Sequence, residues 1–149
     1  MRFVALVVLT WLVACGGDAG ESPFVGTWTY AATGMQTIDC DEDAFDDMTV
    51  PAGSWELVAG ASADVETIAD APCPAIKFDV ADRVATAQAG QGCTDSEQGI
   101  TQTTAYTSFT LTLDSSGKTL TEAVQGTFAV SGSIVTSCTL VKMATSTKP

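Results

Sequence analysis

The clearest order along the chain is a two-residue alternation toward its C-terminal end. In the stretch 105–114, Phe109, Leu111 and Leu113 fall on one parity while Ser108, Thr110 and Thr112 fall on the other. A strand with one buried and one solvated face reads this way. Asp114-Ser115-Ser116-Gly117-Lys118 then supplies a turn. Through 119–132, Val124, Gly126, Phe128 and Val130 keep one parity, and Glu122 is an imperfect member of the same set. Ser131-Gly132-Ser133 turns the chain again into 134–143, where Ile134, Cys138 and Leu140 share a face. The pattern predicts a three-strand meander.

Shorter segments precede it. The stretches 24–31 and 35–40 are predicted to pair through Thr33-Gly34, and 54–60 to pair with 64–70 through Gly60-Ala61-Ser62-Ala63. The stretches 75–80 and 83–88 form a further hairpin. The run 61–71 has alanines enough for a helix, but Gly60 and Pro72 bound it tightly, which favours a strand. Thr, Val, Ala, Ser and Gly dominate throughout, a composition that suits strands. With eight or nine antiparallel strands in sequence and no βαβ unit, the expected class is all-β: an up-and-down meander closed into a barrel, which removes exposed edges. A two-sheet sandwich is the alternative.

The N-terminal segment follows a different logic. Arg2 precedes an apolar run, Phe3 to Val13, interrupted only by Thr10. That is signal-peptide length and well short of the ~20 residues of a spanning helix. The quartet Leu12-Val13-Ala14-Cys15 resembles the lipobox of bacterial lipoproteins. The resemblance implies cleavage after Ala14 and acylation of Cys15 through a diacylglyceryl thioether. It thus implies residues 1–14 as signal peptide, 15–23 as a small, polar, lipid-anchored tether, and 24–145 as one folded domain. Two or three acyl chains anchor stably where one is marginal. Gly16, where such proteins carry Asp for inner-membrane retention, implies the outer membrane, on its periplasmic or surface side.

Cleavage leaves 135 of the 149 residues, with 5 basic against 18 acidic side chains, a net charge of −13. Such a surface repels phosphate backbones, so nucleic acid is not an expected partner. Once Cys15 is assigned to lipid, Cys40, Cys73, Cys93 and Cys138 remain, an even set that reads as two disulfides in an exported chain. Three pairings are open. Cys73 and Cys93 flank the 75–88 hairpin, which favours their pairing and leaves Cys40 for Cys138. Zinc is disfavoured, because the chain has no His and no CxxC pair.

Gly26-Thr27-Trp28 resembles the G-x-W element that opens the first strand of lipocalins, where the Trp plugs the closed end of the barrel. The late Arg that stacks on that Trp in lipocalins has no counterpart, since Arg83 is the sole arginine after Arg2. More widely, the opening GTWTY, the GKTLTE hairpin and the paired cysteines resemble small lipoproteins of myxobacteria without an assigned function.

Candidate chemistry is sparse. Trp28, Tyr30, Trp55, Phe78, Tyr106, Phe109 and Phe128 sit at inward parity; part of the set, Trp28, Trp55, Phe78, Phe109 and Phe128, would line an apolar pocket if the barrel is wide, and otherwise they are core. Asp39, Asp41, Asp43 and Asp47 occupy four positions of a calcium-loop template, but Ala44 and Val50 stand where the template needs Gly and a bidentate Glu. That leaves no confident cofactor, with an irregular calcium loop as the alternative to a solvated acidic one. Absence of His excludes Ser–His–Asp and Cys–His catalysis, so an enzyme would have to work with paired carboxylates. The leading expectation is a lipid-anchored, non-enzymatic envelope protein binding a small apolar ligand or another envelope component. The alternative is a structural acidic module. A cavity of ~300 Å³ or more favours the ligand, and a barrel filled by its own side chains favours the others.

Overall fold

A computed structural model of the chain describes residues 21–31, 33–40, 44–132 and 136–149, with the backbone alone for 44–47 and 136. Every regular element among them is a strand: β1 (Gly26–Tyr30), β2 (Met35–Cys40), β3 (Ala44–Thr49), β4 (Gly53–Ala59), β5 (Val65–Thr67), β6 (Lys77–Ala81), β7 (Val84–Ala87), β8 (Gly92–Glu97), β9 (Ile100–Leu113), β10 (Thr119–Ser131) and β11 (Thr136–Thr147). Eight of them, β1, β4, β5, β6, β7, β9, β10 and β11, close an antiparallel barrel, sealed where Thr29 and Tyr30 of β1 meet Thr147 and Ser146 of β11. The barrel expected from the alternation is therefore the fold.

The other three strands prolong the eight. Both β1 and β2 run antiparallel to β11, β1 beside its C-terminal end and β2 beside Met143 to Cys138. They are two pieces of one long strand. On its other side β4 pairs β1 from Gly26↔Leu57 to Tyr30↔Gly53, and β3 pairs β2 from Met35↔Thr49 to Asp39↔Ala44. The bond from Val50 N–H to Gly34 C=O (2.8 Å) bridges the two pieces of this ladder. In the same way β7 and β8 share one edge of β9. The molecule is thus an eight-member up-and-down meander in which three members are interrupted.

One expected pairing is overturned by this register. Thr33-Gly34 does not reverse the chain, and β1 does not pair with β2. Between the pairs Tyr30↔Ser146 and Met35↔Met143, β11 contributes only Ala144 and Thr145, so the longer connection between β1 and β2 is taken up as a kink within a continuing path. Gly34 suits the kink because a Cβ there would lie 2.8 Å from that of Ala144. The chain reverses only after β2. The hairpins β4–β5 and β6–β7 and the β9–β10–β11 meander form as expected. β3 and β8 have weak alternation and were not anticipated. β11 reaches Thr147, past the expected domain end at 145.

β9, β10 and β11, with 14, 13 and 12 residues, greatly outrun β5 and β6, with 3 and 5. Beyond the kink level the wall is consequently an open six-strand half-pipe, in order β3–β2–β11–β10–β9–β8. Below it, the closed half is packed solid by Phe24, Trp28, Leu57, Val65, Phe78, Leu111 and Leu120. Phe78 meets Phe109 edge-on at 5.1 Å between ring centroids, a favourable aromatic geometry. At the closed end the Trp28 indole N–H donates to the Phe24 carbonyl (2.8 Å), and the Lys148 ammonium lies 5.1 Å from a Trp28 ring centroid. A late cation therefore does cover this Trp, and it is a lysine. Two disulfides form in the favoured pairing: Cys40–Cys138 joins directly opposed residues of β2 and β11, and Cys73–Cys93 ties the loop after β5 to β8.

Candidate functional site

Where the half-pipe meets the packed half of the barrel, the inner face sinks into a recess of about 220 Å³. Its walls come from four strands: Gln36 and Ile38 of β2, Thr104, Tyr106 and Phe109 of β9, Glu122, Val124 and Phe128 of β10, and Leu140 and Lys142 of β11. Strict alternation would put Tyr106 and Phe109, three residues apart, on opposite faces. A bulge corrects this. Tyr106 opposes Gly126 and Ser108 opposes Gln125, which leaves Thr107 unmatched and brings both rings to the inner face, 5.4 Å apart. Gly126 is required at the bulge, because a Cβ would come within 2.4 Å of the Ala105 carbonyl oxygen.

Within this recess, where polar and apolar side chains share the lining, stands an ion pair. Lys142 Nζ lies 2.9 Å from Glu122 Oε1, and their side chains are only 19% and 4% exposed. The Tyr30 hydroxyl donates to Glu122 Oε2, and Lys142 also donates to the Tyr30 hydroxyl oxygen at 3.3 Å. The ammonium stands 4.8 Å from the centroid of the Tyr30 ring, which stacks on Trp55. Burial first, then the Glu122 charge and the hydrogen bond to it, push the Tyr30 hydroxyl far above its ordinary pKa. Burial and the same charge raise that of Tyr106. Both phenols therefore stay protonated and act as hydrogen-bond donors. The pair cancels its own charge, and Glu122 has both oxygens engaged. What remains available to an occupant is apolar surface, the polar side chains of Gln36 and Thr104, the Tyr106 hydroxyl and the outer side of the ammonium.

Comparison of the chain with protein-family models, with curated proteins and with solved structures finds no match.

Of the five aromatic residues expected as pocket lining, Phe109 and Phe128 line the recess, together with Tyr106 of the wider inward set, while Trp28 and Phe78 are enclosed in the core. Trp55 stacks on Tyr30, and the opposite side of its strand borders an external cleft. Cys15 lies outside the described residues, as do Asp41 and Asp43. Asp39 is exposed at the end of β2, and Asp47 belongs to β3. Among the described residues no group of three or more Cys, Asp or Glu forms a metal-binding cluster. The sequence placed Tyr30 among the inward aromatics and Glu122 as an imperfect inward position without joining them, and Lys142 was not singled out. The signal was present: Glu122 shares parity with Leu120 and Val124, and Lys142 with Leu140 and Ala144, so two opposite charges stood at inward positions of neighbouring strands.

Proposed function

We propose that this chain is a lipid-anchored, non-enzymatic binding protein of a bacterial envelope, and that its recess holds a small, uncharged, amphipathic molecule. The observation that carries this reading is the Glu122–Lys142 pair at the base of an open hollow whose remaining lining joins Ile38, Phe109, Val124, Phe128 and Leu140 with Gln36, Thr104 and Tyr106. A buried ion pair adds little to stability compared with apolar residues of the same size, so its presence beside an opening is better explained by orientation of a ligand. The apolar body of such a ligand rests on Phe109, Phe128 and Leu140, and its acceptor group meets the Tyr106 hydroxyl and Lys142. An anionic head would suffer repulsion from Glu122. At about 220 Å³ the recess is smaller than the ~300–1,000 Å³ of most small-molecule sites, so the ligand lies partly in the half-pipe and not inside the barrel.

The test uses N-phenyl-1-naphthylamine, an uncharged apolar dye. It should bind with enhanced fluorescence, and Phe128→Arg and Leu140→Arg should each weaken it about tenfold or more. Failure of the wild-type protein to bind ends the ligand reading. The packed closed half favours a second reading, a structural acidic module at the envelope, and such failure would support it. The anchor is tested separately: Cys15→Ala should release the protein from membranes. A weak calcium loop around Asp39, Asp41, Asp43 and Asp47 would show as a rise in melting temperature with calcium and a fall with chelator.

A further inference from the structure

The barrel wall has a second opening, remote in kind from the recess. β4 pairs with β1 along five residues, Gly53 to Leu57, but with β5 only from Leu57 to Ala59. β5 stops at Thr67, and the chain then swings away. Between the unmatched edge of β4 and the segment after Thr67 lies a cleft of about 500 Å³, bordered by Ser54, Trp55, Glu56, Thr67, Ile68 and Asp70.

We infer that this cleft is a docking slot for an extended, basic segment of a partner polypeptide, which enters as a short added strand. Main-chain direction supports it first. Thr67 N–H donates to Ile76 C=O at 2.9 Å, so the Thr67 main chain turns toward β6. Alternation then turns Glu66 toward Val58, its partner on β4. Further along that edge, Glu56 and Ser54 direct their N–H and C=O groups the same way, into the cleft, and no neighbouring strand takes them up. Exposed strand edges of this kind pair readily with another chain. Four residues at ~3.3 Å each match the edge from Gly53 to Glu56, about 13 Å.

Charge selects the partner. Glu56 and Asp70 are both exposed at the border, no basic residue joins them there, and the whole chain carries −12. Lysine or arginine side chains on the outer face of an added strand would meet these carboxylates. Ile68, 55% exposed, offers apolar surface for the alternate side chains. A second copy of this chain fits poorly, because its own free edges, AFDDMT of β3 and GCTDSE of β8, are acidic. Nucleic acid is repelled by the same charge.

The probe is the peptide acetyl-Lys-Val-Lys-Val-Lys-amide, added to the disulfide-bonded full mature chain and followed by amide chemical shifts. Shifts are expected at Gly53–Glu56 and 67–70, with no binding of the peptide carrying Glu for Lys. A strand presents alternate N–H groups to opposite sides. Two analogues, one N-methylated at both valines and one at the central lysine, should therefore differ, one losing about tenfold or more in affinity and the other keeping it. Glu56→Lys should weaken the peptide by about tenfold while leaving dye binding in the recess unchanged. Equal binding of both analogues would reduce the interaction to diffuse charge attraction and overturn the proposal. So would shifts confined to β3 or β8, or no binding at about millimolar peptide.

Discussion

The Glu122–Lys142 pair offers the sharpest test of how this barrel is put together. Glu122 is 4% exposed and Lys142 19%, so the two ends of the bridge are unequal. Lys142→Met strips Glu122 of its counter-charge and leaves the carboxylate in the core with only the Tyr30 hydrogen bond. Breaking a buried pair costs ~3–5 kcal/mol, and the retained hydrogen bond puts the expected loss near ~3 kcal/mol. Glu122→Leu leaves the ammonium free to turn toward the open half-pipe, so its expected loss is only ~1 kcal/mol. In the double variant no charge is stranded, and the orphaned Tyr30 hydroxyl remains as a cost of ~1 kcal/mol. The double variant should therefore be no less stable than Glu122→Leu and far more stable than Lys142→Met, a coupling of ~3 kcal/mol.

The assay is urea denaturation with disulfides intact, followed through Trp28 and Trp55, with equal m-values as the check that compactness is unchanged. Equal losses in the two single variants, or additive losses in the double, would refute the account of the pair as buried and mutually dependent.

Further outcomes follow from single features of the fold. Gly126→Ala should cost ~1–3 kcal/mol by chemical denaturation, since its Cβ would press within 2.4 Å of the Ala105 carbonyl oxygen, whereas Gly53→Ala meets open space and should change little. The Cys40–Cys138 bridge spans 98 residues and Cys73–Cys93 spans 20, so in the chain-entropy account loss of the first should cost ~4–5 kcal/mol and loss of the second ~3. Thermal melts of the two double-alanine variants should rank in that order. Asp114 accepts from Ser116 Oγ and from the N–H groups of Thr119 and Lys118, bonds that hold its carboxyl down to about 2. Because the folded value is depressed, its contribution is present above about 3.8 and is lost as pH falls through about 2. An NMR titration of Asp114 should show the low midpoint, and Asp114→Ala should flatten stability against pH in that window.

Much of this fold was legible as period-two alternation, and the reasons for the misses are local. Phe109, Leu111 and Leu113 announced a half-buried strand because nothing interrupts their parity. At Thr33-Gly34 the residue types of a tight turn and of a kink are the same, and only the register against β11 tells them apart. β8 escaped notice because its residues flank an open trough, where little apolar surface is buried and alternation fades, and β3 because its sequence AFDDMT does not alternate. The recess was half legible. Tyr106, Phe109 and Phe128 were all placed inward, but the bulge that lets Tyr106 share a face with Phe109, three residues on, is not written in the alternation. The Tyr30–Glu122–Lys142 cluster joins residues up to 112 positions apart, and its members looked like exceptions until the strands were assembled.

The half-pipe also explains where some of the acidity goes. Its two free edges are β3 and β8, which face the gap left by short β5 and β6. Unpaired edges of this length invite pairing with each other or with another molecule, and inward-pointing charge is one of the devices that prevents it. Asp95 and Glu97 stand opposite Gln102 and Ile100, on the trough side of β8, while Thr94 and Ser96 pair outward with Thr103 and Thr101. An apolar strand in that place would gain by folding over the trough or by adding a neighbour. The two carboxylates make either move a burial of charge. Asp95→Val with Glu97→Val should therefore convert the protein to a concentration-dependent dimer or larger assembly, seen by light scattering on a sizing column. The same protein with Glu66→Val and Asp79→Val, acids on strands β5 and β6 that have neighbours on both sides, should remain unchanged in size. If the β8 variant also stays unchanged, the charges on β8 are not what keeps the trough open.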